Sequence, residues 1–323
     1  MEENKMDKAR KKLDLSKYMA LIALIVLVVL ITFLNPQFIA PSNLMNLLRQ
    51  SSINCLIAFG MTFVILTGGI DLSVGSVLAF TGAVAATLIL SGTPVWLACI
   101  ACLVLGAILG GVNGFLISYG KVTAFIATLA TMTIWRGATY VFTGGNPITG
   151  PNMNNSFFFQ FIGNGYLFGI PFPVIITLLI FAAVYILLHK TAFGRKTFAL
   201  GGNEKAAFVA GVKTKKIIVL IYIISGVLAA LAALILTSRL SSAQPDAGSA
   251  YEMDAIASAV IGGASLMGGK GRMQGTLVGA LLIATLSNGM NLLGINSFYQ
   301  QIVKGLVILV AVMIDSQSQK KNG

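Results

Sequence analysis

Runs of about twenty apolar residues succeed one another along nearly the whole chain, joined by short polar connections. An α-helix rises 1.5 Å per residue, so about twenty apolar residues cross a hydrocarbon core about 30 Å thick. Only 10% of the 323 residues are charged, against about 25% in soluble domains. The chain therefore reads as an all-α polytopic membrane protein. Its 35 glycines exceed the usual share of about 7%, which fits close helix packing and interrupted helices in lipid.

Ten spans are expected: Tyr18–Leu34, a second after a Ser42 or Asn43 cap and running to Leu66, Val74–Leu90, Val95–Ser118, Val122–Phe142, Phe172–Leu188, Ile217–Thr237, Met253–Ile261, Gln274–Leu293 and Ser297–Ile314. Met253–Ile261 is too short to cross as a regular helix and reads as a partial span. The division is a basic tail 1–17, a membrane domain 18–314 and a short tail 315–323, with a long uncharged connection 143–170 and a basic one 189–216. The first apolar run lacks a secretory cleavage pattern after it and is expected to stay as a span.

Cations beside spans are retained on the cytoplasmic face. With ten spans, 18 of the 22 Lys and Arg residues share one face, Arg49 and Arg239 lie on the other, and Arg136 and Lys304 fall within spans. Both termini are then cytoplasmic. The net charge of +12 is thus a topology signal with some attraction to anionic membrane lipid, and nucleic acid is not an expected partner.

The segment His189–Lys216 carries seven cations against one anion, Glu204. Within it GGNEKAAFVAGV reads as a helix of two to three turns. Asn203 suits the N-cap, Glu204 the positive N-terminal end, and Gly211 the C-terminal stop. A helix held outside the membrane on basic arms suits docking to a soluble cytoplasmic partner; an ordinary solvated loop is the alternative.

Asp71, in TGGIDLSVGS, is the only carboxylate between Asp14 and Glu204. A charge at mid-membrane costs about 2.5–3.5 kcal/mol and normally faces a cavity or a partner. With Thr67, Gly68, Gly69, Ser73, Gly75 and Ser76 it forms either a polar break in a transport pathway or a simple cap for the following span. Arg136 and Lys304 also need partners, and Asp71, Glu252 and Asp254 are the available anions. VILTGGIDLSVGS is echoed by AVIGGASLMGGKG, and paired breaks of this kind point to a transport pathway; chance recurrence of glycine pairs is the alternative.

GGASLMGGKG fails as a phosphate loop, because Ala264 and Gly271 stand where glycine and Ser or Thr are required. Cys99 and Cys102 lie on an apolar run with no second pair or histidine nearby and read as packing residues; His189 reads as interfacial. No nucleophile, metal cluster or cofactor motif stands out, so the chain is not expected to be an enzyme.

The strings LTGGIDLSVGSVLAFTGAVAA, KVTAFIATLATMTIWRGATYVFTGGNPI, ALGGNEKAAFVAGV, RLSSAQPDAGSAYEMDAIASAVIGGASLMGGKGR and NGMNLLGINSFYQQIVKG resemble the monosaccharide ABC-importer permeases, in order and over about residues 15–315. The resemblance implies the ABC-importer permease fold, a second permease copy, a cytoplasmic ABC ATPase, an external sugar-binding protein, and import of a monosaccharide with D-ribose as the expected sugar. It also implies that Gly201, Gly202, Asn203, Glu204, Ala206, Ala207 and Gly211 dock the ATPase. Gly68, Gly69, Asp71, Ser73 and Ser76, with Ser241, Ser242, Gln244 and Pro245, are expected near the pathway or its outer gate. The rival classes are a proton-coupled secondary sugar carrier using Asp71 as relay and a membrane protein without transport. The docking helix and the lack of a series of intramembrane acids argue against the carrier, and a protein without transport would show no sugar flux with all partners present.

Overall fold

The computed structural model describes residues 19–320, with side chains to Met313; the basic tail 1–17 and Lys321 lie outside the described residues. The helices are α1 (Met19–Leu34), α2 (Pro41–Leu66), α3 (Val74–Leu90), α4 (Val95–Ser118), α5 (Ala124–Thr143), α6 (Pro151–Asn155), α7 (Phe157–Asn164), α8 (Phe172–Lys190), α9 (Ala192–Gly202), α10 (Glu204–Val209), α11 (Thr214–Leu240), α12 (Tyr251–Ile261), α13 (Met273–Leu292) and α14 (Ser297–Lys320). A two-residue hairpin pairs β1 (Tyr166–Leu167) with β2 (Ile170–Pro171). Ten of these helices stand where spans are expected. Among them α2, α4, α8, α11 and α13 are long and apolar enough to cross a membrane by themselves.

The bundle is built around α2 and α11. From Ser51 to Leu66, α2 is buried except at Asn54. Glycines let α11 approach α4 backbone to backbone. A Cβ at Gly106 would meet Ala230 Cβ at 2.6 Å, one at Gly110 would run into the Tyr222 carbonyl, and one at Gly114 would meet Val219 Cα at 2.6 Å. This four-residue spacing of small residues is how helices pack closely where lipid is as apolar as the side chains. Much of the glycine excess is spent on such contacts.

Several details depart from the sequence reading. Neither Ser42 nor Asn43 caps α2. Pro41 starts it after Ala40, its fixed φ being pre-set for a first helical turn. Asn43 instead donates to the Phe38 carbonyl at 2.8 Å and exchanges amide hydrogen bonds with Asn288 at 3.0 Å. The basic connection holds two helices, α9 and the six-residue α10, rather than one. The connection 143–170 is folded into α6, α7 and the hairpin. The half-length α12 is as expected, and α14 continues past Ile314 to Lys320.

The two ends of the bundle are distinct. At the end carrying α10, the Met273 N–H donates to His189 Nε2 at 3.2 Å, joining α13 to α8, and Lys215 lies over Tyr119. At the opposite end, Asn35 donates to the Leu292 carbonyl and Arg49 stacks on Tyr166.

Candidate functional site

Two irregular segments interrupt the bundle, 67–73 before α3 and 241–250 before α12. Buried backbone that leaves a helix still needs its polar groups satisfied, and here protein supplies the partners. In the first, Gly68 turns at a φ of +76°, and Thr128 of α5 donates to the Ile70 carbonyl at 3.1 Å. Asp71 then organises the restart. One carboxylate oxygen accepts from the Ser73 N–H at 3.0 Å and the Ser73 hydroxyl at 2.6 Å, and the other accepts from Ser225 of α11 at 2.9 Å. The chain of bonds continues from Asn113 of α4 to Ser73 and from Thr131 of α5 to Asn113, each 2.7 Å. Asp71, Ser73 and Ser76 are buried. Asp71 has no cation among the described residues; donors converging from the restart of α3 and from α11 hold it instead.

The second segment is satisfied differently. Arg136 of α5 donates through one nitrogen to the carbonyls of Pro245 and Ala247, both at 2.8 Å. The arginine thus finds backbone rather than an acid. Ala243 pairs with Ile148 in an isolated antiparallel bridge, Thr149 donates to the Ser241 carbonyl, and Gln160 donates to the Ser241 hydroxyl at 2.7 Å. The connection 143–170 is therefore fastened onto 241–250. Gln244 donates to Ser242, and Pro245 is buried while Ser241, Ser242 and Gln244 are half-buried. The first turn of α3, just after the first interruption, touches the second where Gly75 meets Gly248. Gly248 has a φ of +71°, and a Cβ on it would lie 2.6 Å from the Gly75 carbonyl.

On the basic connection, the Asn203 side chain accepts from the Ala206 N–H at 2.9 Å and caps α10, while Gly211 ends it at a φ of +83°. Glu204, Ala206 and Gly211 are exposed, but Ala207 is buried beneath the helix. Phe208 and Val209, 69% and 86% exposed, form an apolar tip that the sequence reading did not single out; two apolar residues between basic arms were the available signal. Gly201 and Gly202 belong to the end of α9. There three glycine-bearing turns meet. The Gly269 N–H donates to the Leu66 carbonyl at 2.9 Å. A Cβ on Gly201 would strike that same carbonyl, and one on Gly268 would lie 2.8 Å from the Gly201 oxygen and 2.9 Å from the Gly68 nitrogen. The two echoed segments, 64–76 and 259–271, thus lie against each other, with α9 wedged on both.

A further polar site was not anticipated as a unit. A cleft of about 160 Å³ opens among α2, α11, α12, α13 and α14. Its walls include Gln50, Asn54, Asp254, Asn291, Gln300 and Lys304. The Lys304 ammonium donates to one Asp254 oxygen at 2.8 Å, and Gln300 donates to Asn291 at 2.7 Å. Arg239, in the last turn of α11, borders the same space. Asp254 and Lys304 were each visible in the sequence as charges needing partners, but fifty positions separate them and no periodicity links their helices.

The family described as branched-chain amino acid transport system / permease component matches residues 43–312. The ribose import permease protein RbsC of Bacillus subtilis is 56% identical over 294 residues, 91% of each chain. That of Haemophilus influenzae is 54% identical over 295 residues, again 91% of each. That of Escherichia coli K12 is 49% identical over 305 residues, 94% of this chain and 95% of its own. No solved structure matches the chain.

Proposed function

The chain belongs to the branched-chain amino acid transport system / permease component family, and from that premise we propose that it is the membrane-spanning permease subunit of an ATP-driven ABC importer of ribose. The observation that carries this reading is identity of 49–56% to ribose import permeases across more than nine-tenths of both chains. The chain is the translocation subunit, and ATP is hydrolysed by a separate cytoplasmic partner.

The positive-inside rule puts the end with α10 in the cytoplasm, together with both termini. The ATPase grips α10, where Asn203 fixes the helix start and the exposed Phe208 and Val209 supply apolar contact area. Movement of α10 passes through α9 to the glycine junction, where Gly201 bears on the Leu66 carbonyl at the end of α2 and on the turn before α13. Both flank the first interruption. Gly75 and Gly248 carry the movement on to the second. A loaded sugar-binding protein docks at the other end, on 143–170 and 239–251, which are tied together by the Ile148–Ala243 bridge. A second permease copy completes the pathway. Asp71, buried among its donors, pins the restart of α3 in both states rather than contacting sugar. The bundle needs only different contacts in outward and inward states, not a tight sugar site.

The test is radiolabelled ribose uptake into proteoliposomes. Uptake is expected only with the ATPase, the binding protein and internal ATP all present. Ribose accumulation without ATP moves the chain to the secondary carriers. Silence toward ribose, with ATP turnover stimulated by another loaded binding protein, retains the importer and replaces its sugar.

A further inference from the structure

We infer that the cleft among α2, α11, α12, α13 and α14 is a transit subsite for a monosaccharide, with the Asp254–Lys304 pair as its sugar-displaceable latch. The inference rests on the transport reading and adds to it a place and a chemistry. Charges inside a membrane bundle are costly and face partners or aqueous cavities; these two do both. Their side chains are 16% and 25% exposed into the cleft while holding each other at 2.8 Å. The pair joins α12, the helix that restarts after the second interruption, to α14. Opening it therefore separates two walls of the cleft.

The remaining walls suit a neutral polyhydroxyl compound. Gln50, Asn54 and Asn291 are amides that both donate and accept, as sugar hydroxyls require. Asp254 engages Lys304 through one oxygen, and a carboxylate accepts through both. A volume of about 160 Å³ is below the about 300–1,000 Å³ of drug-sized pockets, in keeping with one sugar ring. Gln50 lies three turns into α2, Arg239 in the last turn of α11, Asn291 in the last turn of α13, and Gln300 in the first turn of α14. All four ends belong to the face opposite α10. The cleft accordingly lies on the side where the binding protein releases its sugar.

The experiment uses the complete reconstituted importer and measures ribose moved per ATP hydrolysed. Gln50 is exposed, so Gln50→Leu tests the wall without opening the core. Asn54→Leu is paired with it. Each is expected to lower the ribose-to-ATP ratio about three- to tenfold, the worth of one hydrogen bond, by slowing uptake more than ATP turnover. Lys304→Gln is expected to lower the ratio further, and the exchanged pair Asp254→Lys with Lys304→Asp to restore part of it. A purely structural pair would lower uptake and ATP turnover together and leave the ratio unchanged, which overturns the inference. Unaltered ratios in both Gln50→Leu and Asn54→Leu overturn it as well. Absence of ribose uptake by the unmodified complex would instead strike the transport reading on which it rests.

Discussion

Arg136 shows how one side chain can hold an irregular segment in place. Its two bonds to Pro245 and Ala247 satisfy carbonyls that no helix reaches. Replacing it by leucine leaves both unpaired, at a cost of about 1–3 kcal/mol each. Arg136→Leu should therefore lower the thermal midpoint in detergent and raise hydrogen exchange selectively at 241–250. Uniform exchange across the bundle would contradict this. Gly248 is constrained in another way. Its φ of +71° and the nearness of the Gly75 carbonyl exclude a Cβ twice, once by backbone strain and once by overlap. Gly248→Ala should cost about 1–3 kcal/mol, as overpacking typically does, readable by the same thermal midpoint. Alanine at the exposed Gly202, where nothing lies within 4 Å and φ is not positive, should cost far less.

Among the elements, α10 is short and depends on its cap. Six residues make a marginal helix, so Asn203→Ala, which removes the bond to the Ala206 N–H, should cost about 1 kcal/mol of local stability. Asn203→Asp should retain it. The proposed grip falls on Phe208 and Val209. Replacing both by serine should leave the membrane bundle intact, because neither is buried. Co-purification of the ATPase with the permease should fall at least tenfold. Unchanged co-purification would move the docking surface off α10. The cap and the terminal glycine were readable from sequence because capping is local chemistry. That Ala207 turns inward while Phe208 faces out was not, since a helix of under two turns has too few residues to show a face.

For the whole molecule, the three-glycine junction is where the proposed docking element meets the interrupted core. Gly201→Val drives a branched side chain into the Leu66 carbonyl, so it should force α9 away from α2. The expected result is an assembled complex that hydrolyses ATP but takes up little ribose; retained coupling would show that motion passes elsewhere. The sequence by itself determined that the chain is an all-α polytopic membrane protein with a half-length helix and a capped helix on its basic connection. Each of these follows from a local demand: apolar length against lipid, cations on one face, and a side chain that can accept at a helix start. Tertiary structure alone decided that Asp71 is held by hydroxyls and an amide-linked network and that Arg136 serves carbonyls. It alone brought Asp254 and Lys304 together across a cleft and made three distant glycine pairs into one joint. Partners of buried charges are chosen by where helices cross. Glycine marks close approach without a side chain to say what approaches it.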